Sequence, residues 1–169
     1  MNTFQQNLLY GQEGEHIIAN LLISSSVVVL PLFQFTPETA PKLLGIGKQY
    51  TCPDLMCYEG SSSYFVEVKS KQKWVKFDGN LETGINQKHY DSYKALQDTT
   101  GITVLLFFIH VQENPQGIYC CRLGDFTRVW DGCYRGEYKS PAMVFYNHES
   151  LLPCVTPDFE NITKHLLLS

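Results

Sequence analysis

Residues 51–69 read Thr-Cys-Pro-Asp-Leu-Met-Cys-Tyr-Glu-Gly-Ser-Ser-Ser-Tyr-Phe-Val-Glu-Val-Lys, and the placing of Asp54, Glu67 and Lys69 within this stretch decides the fold. Residues 63–68 are rich in aromatic and β-branched types, and 52–58 form a second short run, so both read as strands around a Glu59-Gly60-Ser61-Ser62 turn. A turn centred on Gly60 and Ser61 predicts an antiparallel register that pairs Glu59 with Ser62, Tyr58 with Ser63, and so on down to Asp54 with Glu67. Residues opposed in this way share a face, with Cβ atoms roughly 4.5–5.5 Å apart. Lys69 lies two residues beyond Glu67 and points the same way, because side chains alternate along a strand.

Two ionised carboxylates so close repel each other unless something compensates. A divalent cation does so: magnesium takes oxygen ligands and keeps several waters. The carbonyl of Val68 could add a neutral oxygen from the same strand. Lys69 would then orient or help deprotonate a metal-bound water, or steady the charge that builds on phosphorus during cleavage. An exposed ion-pair cluster on a solvent-facing hairpin is the alternative reading of the same residues.

Asp54, Glu67 and Lys69, with Pro53 in front, resemble the signature of the PD-(D/E)xK nuclease superfamily, which includes restriction endonucleases, Holliday-junction resolvases and recombination exonucleases. The resemblance implies an α/β restriction endonuclease-like core, a central mixed sheet of four to five strands flanked by helices. It also implies a metal-dependent endonuclease that hydrolyses phosphodiester bonds in DNA, using Mg2+ with Mn2+ as substitute. Members carry a helix before the first core strand, with a glutamate near its start that reaches the metal. Here Ile17, Ile18, Leu21 and Leu22 recur at helical spacing, and Glu15 matches that glutamate better than Glu13 does. By this resemblance Asp54, Glu67, Glu15 and the carbonyl of Val68 hold the metal, and Lys69 is the catalytic lysine.

After the strand ending at Lys69, such nucleases often place a helix with a glutamine facing the site. Residues 86–97 fit one, with Asn86 as N-cap. Gln87, Tyr90 and Lys94 fall at i, i+3 and i+7 on one face. Gln87 is thereby expected at the metal-site water or a phosphate, and Tyr90 or Lys94 at the nucleic-acid backbone. Tyr93 reads as packing, and His16, His89 and His110 as structural or surface residues without metal-ligand spacing. The resemblance spans roughly residues 7–122. Two alternatives stay open: a catalytically inactive nucleic-acid-binding or assembly subunit with this fold, and an RNA-directed nuclease.

The chain's 169 residues suit one domain, with a less legible extension over 123–169. With 44% hydrophobic and 18% charged residues it reads as an ordinary folded protein. No apolar stretch approaches the roughly 20 residues of a membrane span, and the N-terminus lacks the pattern of a signal peptide. The expectation is a cytoplasmic protein. Six cysteines show no CxxC pair, which favours reduced, buried thiols over zinc or disulfides.

A net charge of −4 opposes nonspecific wrapping of nucleic acid. Lys69, Lys71, Lys73 and Lys76 nevertheless crowd into eight residues, and the first three alternate onto the face that carries Glu67. Lys71 and Lys73 are therefore candidate phosphate contacts. So are Lys42 and Lys48, in an irregular proline-containing loop over 36–50 that precedes Pro53. A homodimer could set two sites on opposite strands. The remaining pattern predicts a helix over 5–23 and strands over 26–35, 102–111 and 117–122. A turn is expected at Asp78-Gly79-Asn80. The extension reads as a short helix over 123–130, a strand over 142–146 and a terminal helix over 157–168, with Trp130 in a packing role.

Overall fold

The hairpin at Gly60 forms with the expected pairs: Glu59 opposite Ser62, Tyr58 opposite Ser63, and Leu55 opposite Val66. The structure, a computed structural model, describes residues 3–32, 42–45, 47–132, 134–135 and 138–154. The chain begins with α1 (Thr3–Ser24), β1 (Val28–Pro31), β2 (Lys42–Gly45), β3 (Lys48–Thr51), β4 (Leu55–Glu59) and β5 (Ser62–Lys71). It continues through β6 (Val75–Phe77), β7 (Asn80–Asn86), α2 (Gln87–Thr100), β8 (Thr103–His110), β9 (Gly117–Arg122) and β10 (Arg128–Trp130). Then come β11 (Tyr134–Arg135), β12 (Tyr138–Lys139), β13 (Met143–Asn147), a 3-10 turn over His148–Ser150 and β14 (Leu152–Pro153).

The principal sheet has six strands in the order β1-β4-β5-β8-β9-β14, one or two more than the sequence suggested. Only β5 and β8 run parallel; the other adjacent pairs are antiparallel, so the sheet is mixed as expected. β5 and β8 are joined by a crossover that contains β6, β7 and α2. Alternation along the central strands divides the core into two layers. Tyr64, Val66 and Val68 meet Ile18 and Leu22 of α1 on one face. Phe65, Leu106 and Phe108 meet Tyr93 and Leu96 of α2 on the other, with Ile85, Val144 and Tyr146 of a second sheet. Cys57 and Cys120 lie in the first layer and Cys121 in the second; these three, with Cys52 and Cys154, are buried free thiols.

That second sheet, β10-β13-β7-β6, is not foreshadowed in the sequence. Its hairpin closes through Asp78 and Gly79, both at positive φ (48° and 82°), between the paired residues Phe77 and Asn80. A two-residue Asp-Gly loop with this twist matches the right-handed twist of its flanking strands. Two expectations are corrected. Within and just past the supposed irregular loop over 36–50, Lys42–Gly45 and Lys48–Thr51 pair as β2 and β3. The predicted helix over 123–130 is a turn at Leu123 and Gly124 followed by β10, whose residues pair with β13. Its helix signal is overridden by the rung partners Phe145, Val144 and Met143. The strand over 142–146 appears as β13; the terminal helix over 157–168 lies outside the described residues.

α2 starts where expected. The Asn86 side chain accepts from the Lys88 N–H at 2.9 Å, and Gly101 in the left-handed conformation closes the helix. Among the described residues no helix is long and apolar enough to cross a membrane.

Candidate active site

β5 outruns its neighbour. Leu55 opposite Val66 is the last rung with β4, and residues 67–71 continue beyond it. Pro53 has no N–H to extend the ladder, and the chain leaves the strand at Asp54. Asp54 therefore faces the Glu67 end of β5 as register counting placed it, but not as a rung. Its Oδ2 instead accepts the Val68 N–H at 2.7 Å, and its main-chain oxygen accepts from Leu32 at 2.8 Å. In an extended strand the N–H and C=O of one residue point to the same side. The Val68 carbonyl thus opens into the gap that β4 leaves.

α1 closes that gap from the opposite layer. Gly14 sits so near β5 that a Cβ there would collide with Ser70 Oγ and stand 3.3 Å from Ile109 Cδ1. Contact this close brings the next residue, Glu15, to the site from the middle of α1 rather than from its first turns. Gly11, Glu15, Asp54, Val68, Lys69 and Gln72 line a cavity of about 340 Å3 at this point. Glu67 is 2% exposed and pairs with the Lys69 ammonium.

The electrostatics follow from this crowding. Burial and the charge of Glu67 hold the Asp54 carboxyl well above its usual range, with Lys69 pulling the other way. Glu15 is raised by burial and by Glu67. Burial alone would draw the Lys69 ammonium down, but Glu67, Asp54 and Glu15 outweigh it and leave its pKa above the ordinary lysine value. Lys69 is therefore a firmly protonated donor. Lys71, two residues on, is drawn down to about 8 by burial and by Lys69.

The donor set fits a hard cation. Among the described residues Glu15 Oε2 and Glu67 Oε2 are buried acceptors with no hydrogen-bond partner, and oxygen-only ligation is what magnesium takes. Among the described residues no three Asp, Glu, His or Cys side chains are already gathered for one ion. The Lys69 ammonium occupies one oxygen of Glu67.

The remaining sequence candidates divide. Gln87 stands in the first turn of α2, donating from Nε2 to Asp91 at 2.8 Å, but it does not line the cavity. Tyr90 packs edge-on against Phe126 at 5.3 Å. Lys94 is engaged by Asp98 one turn along the same helix, at 2.5 Å. Lys42 bonds Gln49 at 3.2 Å, Lys48 lies over the Tyr50 ring at 5.1 Å, and neither lines the cavity; Lys73 is exposed beyond the end of β5.

The face of α2 that turns inward carries Tyr93 and Leu96 instead. Burial, Glu67 and Asp54 push the Tyr93 phenol far up, and its hydroxyl stands 3.5 Å from His89 Nδ1. His89 is lowered by burial and by Lys69, which places it beside the same cluster. By sequence both read only as packing or surface residues. Tyr93 and Leu96, at i and i+3, are the signal for the inward face, and His89 lies one turn before Tyr93.

No family model matches the sequence, and no curated protein matches it. Solved structures do. Hjc, a Holliday junction resolvase from Archaeoglobus fulgidus, superposes with a TM-score of 0.53 at 11% identity, over 83% of this chain and 90% of that one. D212, a nuclease from a fusellovirus, aligns with a TM-score of 0.47 at 13% identity, over 85% of this chain and 87% of that one. The chain shares the restriction endonuclease-like fold that its motif implied.

Proposed function

We propose that the chain is a metal-dependent endonuclease that hydrolyses phosphodiester bonds in DNA. One observation carries this reading: Glu15, Asp54 and Lys69 line one cavity, Glu67 is paired to Lys69, and buried carboxylate oxygens of Glu15 and Glu67 have no hydrogen-bond partner among the described residues. Glu15, Asp54, Glu67 and the Val68 carbonyl would hold a divalent ion, magnesium or manganese. When bound, such an ion relieves the repulsion among the carboxylates and supplies Lewis-acid polarisation of the phosphate.

The chain's own residues do the rest. Asp54 fixes the end of β5 through the Val68 N–H, which keeps Glu67 and Lys69 in register at the cavity. Lys69 is paired with Glu67, and the surrounding carboxylates favour its ammonium form. It donates hydrogen bonds to the attacking water or a phosphate oxygen and stabilises the negative charge that grows in the transition state. Releasing its ammonium from Glu67 frees the second oxygen of that carboxylate. Lys71 and Lys73 follow along the chain and meet the phosphates that flank the scissile bond.

The test is cleavage of duplex, single-stranded and branched DNA, and of matched RNA, with magnesium or manganese. Activity should require the metal, and Lys69→Ala should lower the rate roughly 10²–10⁴-fold, with DNA affinity in chelator changed far less. Undiminished cleavage by the variant would overturn the role given to Lys69. The ion pair closed over Glu67 favours a second reading, a nucleic-acid-binding subunit that does not cut. Calorimetry separates the two, because that reading requires DNA binding with no uptake of magnesium or manganese at millimolar concentration.

A further inference from the structure

The β6–β7 hairpin is inserted between the strand that carries Lys69 and the helix that carries Gln87. Its first arm follows Gln72, a cavity-lining residue, and its second arm ends at Asn86. Rungs Val75–Glu82, Phe77–Asn80, Gly84–Phe145 and Phe145–Arg128 set Val75, Phe77, Glu82, Gly84, Phe145 and Arg128 on one face. The opposite face supplies Ile85, Val144 and Tyr146 to the core. The first face is built in a particular way. The Arg128 guanidinium lies between two rings, 3.9 Å from the Phe77 centroid and 4.4 Å from that of Phe145. Glu82, 4% exposed, holds it through Nε and Nη2, the latter at 2.5 Å. Gly84 leaves the space that Phe145 fills: a Cβ there would stand 2.9 Å from its ring.

Phe145 is 6% exposed, whereas Phe77 is 49% exposed and its neighbour Val75 43%. One side of the Phe77 ring is therefore backed by a fixed cation while much of the ring remains in water. A ring whose orientation is already set loses little freedom when something stacks on it. The open apolar area is one ring and one valine, far below the roughly 800 Å² per partner of a stable protein interface, but one planar base needs no more than a ring face. Lys73, exposed four residues before Phe77, can meet an adjoining phosphate, whereas Lys76 points to the opposite face and pairs with Glu113 at 3.4 Å.

We propose that Phe77, backed by Arg128, is a stacking platform for an unpaired nucleobase, so that the chain prefers DNA whose strands separate near the site of cutting. This rests on the nuclease reading for the identity of the ligand. Phe77 is eight residues beyond Lys69, at most about 29 Å along an extended chain, so the base sits a short distance from the scissile phosphate on the same bound molecule.

The test measures binding in chelator, where cleavage cannot contribute. Fluorescence anisotropy compares a flapped duplex carrying unpaired adenines with a fully paired duplex of equal length. The parent protein should bind the flapped probe more tightly. Phe77→Ala and Phe77→Leu should each lose roughly 5- to 100-fold on that probe, the range of one base–aromatic stack, and little on the duplex; Phe77→Trp should retain the preference. The leucine variant keeps an apolar side chain against Arg128, so its melting curve checks that the fold is intact. Equal binding of both probes by the parent, or unchanged preference in both variants, overturns the proposal. So does a shift in sedimenting mass with no change in preference, which would make this face a self-association surface. A Phe77-dependent preference in a protein that cuts nothing upholds the platform and removes only the nuclease reading.

Discussion

Because burial and Glu67 both penalise the ionised form of Asp54, replacing it with asparagine removes a charge while keeping an oxygen to accept from the Val68 N–H. The sign is that of a raised acid: the folded state binds the proton better, so stability is lost as pH rises through the folded pKa. At neutral pH Asp54→Asn should raise the melting temperature, by about 2–4 °C for each kcal/mol of repulsion relieved, while cleavage falls to background. His110 runs the other way. It stacks on Trp74 with ring centroids 3.6 Å apart, faces Thr83 at 3.2 Å, and is held down to about 4 by burial, Lys71 and His148. An unfolded histidine takes its proton near pH 6.5, so the fold weakens as pH falls from there toward 4. The loss is at most about 3 kcal/mol. Urea titrations across that window should show a shallower fall for His110→Phe than for the parent.

At the scale of elements, the approach of α1 to β5 is the most exposed to disruption. Gly14→Val must push the helix off Ser70 and Ile109, at about 1–3 kcal/mol, and should carry Glu15 away from the cavity. Gly11→Ala, one turn earlier, adds a methyl group with nothing within 4 Å of it, and should instead gain up to about 1 kcal/mol from helix propensity. Thermal melts of the pair give the comparison. The Gly60 hairpin and the α2 cap were legible because each is written in neighbouring residues: a glycine between alternating runs, and an asparagine two residues before the N–H it accepts from. The second sheet was not. Asp78-Gly79 was readable as a turn and β13 as a strand over 142–146, but β6 is only three residues and exposed throughout, and β13 lies some sixty residues beyond its partner β7, so no local period announced that they join in one sheet. Around the cavity, Asp54 and Glu67 were read as neighbours by register and Glu15 by resemblance, whereas His89 and Tyr93 were read only as surface or packing residues because a helical-face assignment anchored on Gln87 was rotated from the face that carries Tyr93 and Leu96.

Over the whole molecule, a net charge of −4 must coexist with the proposed DNA binding. If Lys69, Lys71 and Lys73 supply the phosphate contacts, the logarithm of the affinity should fall against that of the salt concentration with a slope of roughly −2 to −3. Lys71→Ala and Lys73→Ala should each make the slope shallower by nearly one. The same buried thiols that mark the two layers also give the protein internal clocks. Cys121 lies deep in the second layer and Cys57 in the first, while Cys52 is close enough to Asp54 and Glu67 for their charges to raise it, with burial, to about 11. A thiol reagent can reach each only during an opening of its surroundings. Ordered by labelling rate, the cysteines would report which part of the molecule breathes first, and whether occupying the acidic cluster with magnesium slows the clock at Cys52 without touching the others.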